Sequence, residues 1–228
     1  MATLLFDADD TLWENNIYFE RALADFISFL EHKELSAAEV RIIIDDVERE
    51  NISLNGYGLK SFTKALVAAF EKLSVEPITE AIHTTITGFA QRIAEEPIRL
   101  IDGVPATLAS LCERHALYVV TKGDPDEQHR KVKSSGIEHY FRAIEVLPEK
   151  TAAAYRFLLE SRHLSGDDIW MIGNSPKSDV NPALEAGLNS AFIPHQNTWV
   201  LEEQEINRPR PTQRLLELRK FEDLLLHF

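Results

Sequence analysis

Hydrophobic positions along the chain follow two rhythms. Thr3 to Phe6, Ala116 to Val120, Ala143 to Leu147, Asp168 to Ile172 and Ser190 to Pro194 are short apolar runs with little polar alternation, the pattern of strands buried on both faces of a sheet. From Ala116 onward these runs alternate with stretches of helical period. Thr151 to Arg162 sets Tyr155, Leu158 and Leu159 on one face, and Asn181 to Ala186 is closed by Gly187. The succession strand, helix, strand, helix predicts an α/β core with a doubly wound, Rossmann-like parallel sheet.

Roughly a hundred residues separate the first and second runs, far more than the dozen or so that a parallel crossover needs, so a further element is inserted there. Tyr18 to His32 carries Phe19, Leu23, Phe26, Ile27 and Leu30 at helical spacing. Ser36 and Glu39 form a capping-box signal ahead of Val40, Ile43, Ile44 and Val47. After the turn-rich Asn55-Gly56-Tyr57-Gly58, two more amphipathic stretches follow, with Leu59, Phe62, Leu66, Phe70 and Leu73, then Ile82, Ile86, Phe89, Ala90 and Ile93. Four such helices predict a small bundle. Residues 1–14 and 99–228 are accordingly assigned to the α/β core and 15–98 to an inserted helical domain. Arg208-Pro209-Arg210-Pro211 reads as a connector to a last amphipathic helix carrying Leu215, Leu218 and Leu225.

Composition narrows the function classes. With 44% hydrophobic and 27% charged residues among 228, the chain is neither disordered nor fibrous. A formal charge of -13, from 24 basic and 37 acidic side chains, repels a phosphate backbone and argues against nucleic acid as the main partner. Cys112 is the only cysteine; it cannot form an internal disulfide, and within the helix-like stretch Ala106 to Arg114 it is expected to be a small buried apolar residue. The amino terminus opens directly into Thr3-Leu4-Leu5-Phe6-Asp7, and no stretch approaches the roughly 18 consecutive apolar residues of a membrane span. A cytoplasmic location without membrane partners is the expectation.

In open parallel sheets ligands bind beyond the carboxyl ends of the strands, and four strand ends here carry chemistry. Asp7-Ala8-Asp9-Asp10-Thr11-Leu12 places three carboxylates within four residues. Like charges so close call for a hard cation with oxygen ligands, and Mg2+, which keeps several waters, fits an open site; the alternative for this segment alone is an acidic turn capping the next helix. Val119-Val120-Thr121-Lys122-Gly123 offers a hydroxyl and turn amides to an anion, although many strands end in Thr and Gly. Lys150, near the start of the helix after the third run, could equally be a solvated helical lysine. Ile172-Gly173-Asn174-Ser175-Pro176-Lys177-Ser178-Asp179 again supplies oxygen ligands, or is an ordinary polar loop capping the helix from Asn181.

In this order, and with a helical insert after the first, the four segments resemble the haloacid dehalogenase-like hydrolase superfamily over nearly the whole chain. Asp7-x-Asp9-x-Thr11, the strand-terminal Thr121, Lys150 and the Gly173-to-Asp179 loop match its four motifs. The insert stands in the position of the family's cap domain and is all-helical, as in small-molecule phosphatases such as phosphoglycolate phosphatases and pyrimidine 5'-nucleotidases. The resemblance implies Mg2+-dependent hydrolysis of a small phosphorylated metabolite, a sugar phosphate, phosphoglycolate or nucleoside monophosphate, through an aspartyl-phosphate on Asp7. It further implies that Asp9 protonates the leaving oxygen, then deprotonates water, and lends its main-chain carbonyl to the metal. Thr121 and Lys150 would act on the phosphoryl group. The implied metal set is Asp7, Asp9, Asn174 and Asp179, and the implied substrate-binding set Thr121, Lys122, Gly123 and Lys150.

Two positions depart from the family pattern. Asn174 stands where family phosphatases commonly carry Asp, which predicts weaker metal binding or transfer of the direct ligand role to Asp179. Lys122 stands where Asn often follows the motif threonine, and either attracts an anionic substrate or faces solvent. Rival readings on the same fold are a 2-haloacid dehalogenase, a phosphotransferase and a binding protein without efficient chemistry. A departing halide needs no proton, so a dehalogenase has no use for Asp9, and the intact Asp7, Asp9, Thr121, Lys150 and Asp179 speak against lost chemistry. Trp13, Asn16 and Tyr57 are candidate contacts to the leaving group, or packing residues.

Overall fold

The computed structural model describes residues 1–31 and 34–228; His32, the expected end of the first inserted helix, lies outside the described residues. The chain forms two compact units, Ile17–Pro97 and Met1–Asn16 with Ile98–Phe228.

The first of these is built on helices α1 (Asn16–Leu30), α2 (Ala37–Asn55), α3 (Leu59–Leu73) and α4 (Glu80–Glu95). The capping box at Ser36 and Glu39 starts α2, and Gly56 and Gly58, with φ of 73° and 104°, make the turn into α3 in conformations that favour glycine. Phe26, Ile44, Leu66, Phe70, Ile86 and Phe89 share one apolar core. At its edge the Arg41 guanidinium bonds both Glu20 oxygens, at 2.5 and 2.8 Å, and Asp45 at 2.7 Å.

The other unit is a six-stranded parallel sheet of β1 (Thr3–Phe6), β2 (Ala116–Lys122), β3 (Ala143–Leu147), β4 (Ile169–Gly173), β5 (Asn189–Phe192) and β6 (Leu215–Glu217), in the order β3-β2-β1-β4-β5-β6. Helices α5 (Val104–Cys112), α6 (Pro125–Ser135), α7 (Ala152–Ser161) and α8 (Asn181–Ala186) complete it. Alternate strand residues point to opposite faces. Leu4, Phe6, Val119 and Ile172 join Leu108, Leu111 and Val132 in one cluster, while Leu5, Val120 and Met171 join Tyr155, Leu158 and Ala183 in the other. Central β1 is registered with Phe6 opposite both Val119 and Ile172, so β1 and β4 end within a residue of each other beside Asp7 while β2 runs on to Lys122. Among the described residues no helix is long and apolar enough to cross a membrane.

Two expectations are corrected. The leucines after the Arg-Pro connector do not form a helix. Leu215 to Glu217 is strand β6, paired with Ser190 to Phe192, and Phe221–Leu226 is a 3-10 turn burying Phe221 and Leu224. The open edge of β5 supplies hydrogen-bond partners to an extended segment, and this outweighs a leucine spacing that fits a helix locally. Cys112 is exposed: it is the last residue of α5, turned away from Leu108 and Leu111, which face the sheet.

Glu48 in α2 is buried, and its Oε2 has no hydrogen-bond partner. Burial, with the nearby Asp45 charge adding and Arg41 opposing, raises its carboxyl from 4.5 to about 7. Between those values the unfolded chain releases the proton while the folded chain keeps it, so stability falls as pH rises through this window, by about 3 kcal/mol in all. Glu48→Gln cannot ionise, but it leaves an unpaired amide that offsets about 1 kcal/mol. The variant is expected to be about 2 kcal/mol more stable than the parent at pH 8, with the gain vanishing toward pH 5. Urea unfolding at the two pH values checks this, and a gain independent of pH contradicts it.

Candidate active site

Strand β1 delivers Asp7 to the sheet edge, where its N–H donates to the Ile172 carbonyl at 2.8 Å. The chain then turns sharply, with the Leu12 N–H donating to Ala8 O and the Asp10 N–H to Trp13 O, both at 2.8 Å. Asp10 adopts φ of 59°, a left-handed conformation that a short polar side chain tolerates. The turn sends the three carboxylates to three separate sets of partners.

Asp7 meets a buried ammonium. Its Oδ1 contacts Lys150 Nζ, which also bonds Asp179 Oδ1 at 2.7 Å; Lys150 is 3% exposed and Asp179 0%. Burial raises the Asp7 carboxyl against the opposing pull of Lys150. Burial and the Asp7 charge raise Asp179 to about 7. For Lys150 burial favours the neutral amine, yet the two carboxylates outweigh it and hold the ammonium charged. The other Asp7 oxygen, Oδ2, accepts from the Thr11 hydroxyl at 3.1 Å, and the same hydroxyl lies 3.2 Å from Asn174 Oδ1.

Asp9 is held by α6. It accepts from Trp13 Nε1 at 2.7 Å, Gln128 Nε2 at 2.9 Å and Lys131 Nζ at 2.9 and 3.1 Å. Burial opposes its ionisation, but Lys131, Gln128 and Trp13 prevail and keep its carboxyl below the usual range. Asp10 caps α1 by accepting from the Asn15 and Asn16 amides at 2.9 and 3.0 Å. Burial lifts it to about 7 despite these bonds, with Asp9 and Asp7 adding. His195 lies 3.7 Å from Asp10 and 3.4 Å from Glu14, and these three residues could together offer a metal three ligand atoms within 4.8 Å of one another.

Asp179 sits in a π turn, Pro176–Val180, between β4 and α8. Its Oδ2 accepts from the Ser175 amide at 2.9 Å, so with Lys150 on Oδ1 both oxygens are engaged. Tyr155 of α7 braces the turn from below, its hydroxyl donating to Ser178 O at 3.0 Å. Thr121 is buried at the end of β2, and Gly123 follows with φ of 133°, the Gln128 side chain lying 3.3 Å from where a Cβ would stand. Lys122 is turned inward, to Glu202 at 2.7 Å, Ser178 at 2.9 Å and Glu149 at 3.3 Å. Glu202 also accepts from Ser175 and Ser178, at 2.6 and 2.5 Å. Burial works against its charge, but Lys122 and the two serines hold its carboxyl below the usual range. Trp13 is buried and bonded to Asp9, the Asn16 amide donates to Asn197 O at 2.9 Å, and Tyr57 lies in the turn between α2 and α3.

Asp7, Thr11, Lys150, Asn174 and Asp179 are thus brought into one cluster from the ends of β1 and β4, the start of α7 and the π turn. The model of the haloacid dehalogenase-like hydrolases matches residues 1–187. The chain belongs to that family. Human N-acylneuraminate-9-phosphatase is 25% identical, with 85% of this chain and 82% of that protein covered. Phosphoserine phosphatase of Thermus thermophilus is 23% identical over 85% and 88%. The crystal structure of a haloacid dehalogenase-like family hydrolase from Xanthomonas campestris superposes with a TM-score of 0.79 at 27% identity, covering 98% of this chain and 92% of that one.

The family's hard divalent cation fits the residues of this hydrolase on two counts. With both ionised, Asp7 and Asp179 outnumber the Lys150 ammonium by one negative charge, and burial pushes both carboxyls up where no further cation is at hand. The Thr11 hydroxyl has one proton for two oxygen acceptors, Asp7 Oδ2 and Asn174 Oδ1, so this pair lacks a positive partner, and carboxylate and amide oxygens are the ligands such a cation prefers.

Several contributors had no distinctive signal in the sequence. Gln128 and Lys131 lie one helical turn apart in a polar stretch that reads as solvated, Tyr155 reads as core, and Glu202 and His195 belong to a loop without a motif. Gly173 is the most stringent position. A Cβ there would lie 2.1 Å from Asp179 Oδ2 and 2.4 Å from its Cγ, and Asp179 has no room to yield. Gly173→Ala is expected to destabilise the protein by about 2–3 kcal/mol, read as a lowered unfolding midpoint; an unchanged midpoint contradicts the packing argument.

Proposed function

We propose that this hydrolase cleaves small phosphate monoesters by nucleophilic attack of Asp7, with Mg2+ held by Asp7, the Asp9 main-chain carbonyl and Asn174. The observation that carries the reading is the division of labour among the carboxylates. Asp7 has one oxygen against Lys150 and the other on the Thr11 hydroxyl that it shares with Asn174, while Asp9 stands apart with its own set of donors. A halide leaves without a proton, so an acid at Asp9 has a purpose only where an alkoxide departs. The names of the human and Thermus relatives point the same way, toward phosphorylated small metabolites.

In this mechanism an Asp7 oxygen bonds to phosphorus as the ester P–O bond breaks, and the leaving oxygen takes a proton from Asp9. Water then attacks the aspartyl-phosphate and gives its proton to Asp9, and the bond to Asp7 breaks to release phosphate. The resting Asp9, ionised beside Lys131, is ready for the second role; the first requires its carboxyl to part from Lys131 and take up a proton as substrate enters. Lys150 neutralises Asp7 and the incoming phosphoryl oxygens, and Thr121 with the Gly123 turn would hold the latter. Bound Mg2+ supplies charge neutralisation between two anions that otherwise repel. Asp179, with both oxygens engaged, serves to fix Lys150, which leaves the direct ligand role with Asn174.

Hydrolysis of p-nitrophenyl phosphate with added Mg2+ tests the proposal. The parent is expected to turn over, EDTA to stop it, and Asp7→Asn to lower the rate at least about a thousandfold. Equal rates in parent and variant sink the assignment.

A further inference from the structure

Asn174 can face Asp7 with either end of its amide, and only the oxygen end serves a cation. The loop after β5 settles which. The Asn174 Nδ2 donates to Thr198 Oγ1 at 3.0 Å. That hydroxyl donates its own proton to the His195 carbonyl at 2.9 Å, and the Thr198 amide donates to the same carbonyl at 3.2 Å. A carbonyl can only accept, so the hydroxyl proton is committed there and Thr198 can offer Asn174 nothing but a lone pair. The amide must answer with its NH2, which puts Oδ1 beside Thr11 and the Asp7 carboxylate. A carboxylate at 174 would meet that lone pair with a second one. His195 in turn lies 3.7 Å from Asp10 and 3.4 Å from Glu14 of the first strand's loop.

We propose that Thr198 is a positioning residue that orients Asn174 for metal binding, and that the site is built around an amide rather than being a carboxylate site in decay. The proposal rests on the reading above that Asn174 supplies a metal ligand. Without the acceptor, the amide is free to turn its NH2 toward Asp7 and bond it, at the expense of the cation. Partners that hold metal ligands in orientation typically account for about 10–100-fold in affinity.

The test is Mn2+ binding to the full-length protein without substrate, read from the loss of the free-ion EPR signal. Thr198→Val, which keeps the shape and removes the acceptor, is expected to weaken binding about 10-fold, Thr198→Ala to do the same, and Thr198→Ser to restore it. In an Asn174→Asp background, where the side chain has no distinct ends and Thr198 offers it only a repelling lone pair, Thr198→Val is expected to cause no loss of affinity. The metal-free unfolding midpoint should stay near that of the parent. Unchanged affinity in Thr198→Val and Thr198→Ala overturns the proposal, as does an equal loss in both backgrounds, which marks a merely structural role. Asn174→Ala separates the two layers: if it binds Mn2+ as the parent does, the ligand assignment itself has failed.

Discussion

A lysine ammonium buried between two carboxylates is the interaction on which the rest of the core unit turns. Burial alone favours a neutral lysine and protonated aspartates, and the attraction between Lys150 and the two carboxylates opposes it at all three groups. The surroundings can be read as what this cluster demands. Gly173 has no side chain because Asp179 occupies the space. The π turn closes on Ser175 so that its amide can satisfy the second Asp179 oxygen, and Tyr155 ties the turn to α7, the helix that follows Lys150. Removing any one partner would leave a buried charge without its counterpart.

A second layer holds that one in place. Lys122, which follows Thr121 on β2, reaches Glu202 and Ser178, and Glu202 binds Ser175 and Ser178 from a loop far along the chain. The motif turn is therefore clasped from both sides, by Lys150 through Asp179 and by Glu202 through the serines. The same loop supplies Thr198 to Asn174 and His195 to the turn after β1. One segment whose only regular element is the short 3-10 turn Val200–Glu202 thus meets residues at the ends of both β1 and β4.

How much of this the sequence disclosed depends on whether the cause was local. The strands were legible because burial on both faces demands continuous apolar runs, and the site residues because each stands at the end of such a run. Asp10 illustrates a partial reading: as one of three carboxylates it suggested a cation, while the structure has it capping α1, the plainer of the two expectations. Lys122 was expected to face substrate or solvent and is paired internally. The Lys122 outcome hinges on residues far along the chain, with Glu202 80 positions away, and leaves no spacing to detect. The β6 segment was misread for the same reason, since its partner is the free edge of β5 and not its own neighbours.

Electrostatics then constrains how an acidic chain can receive an acidic substrate. The protein carries -13, and the lysines near the strand ends are each neutralised: Lys150 by Asp7 and Asp179, Lys122 by Glu202 and Glu149, Lys131 by Asp9. Before a cation binds, the cluster offers a phosphate dianion no net attraction, because its own balance is negative. Under the proposed reading a divalent cation changes that sign: one negative charge in excess becomes one positive. The dependence on metal would then originate in admission of the substrate as much as in the chemical step. An amide at 174 sharpens the effect, because a ligand without charge leaves more of the cation's charge for the phosphoryl group than a third carboxylate would. On that reading, weaker metal binding and a stronger pull on the substrate would be two consequences of the same uncharged oxygen.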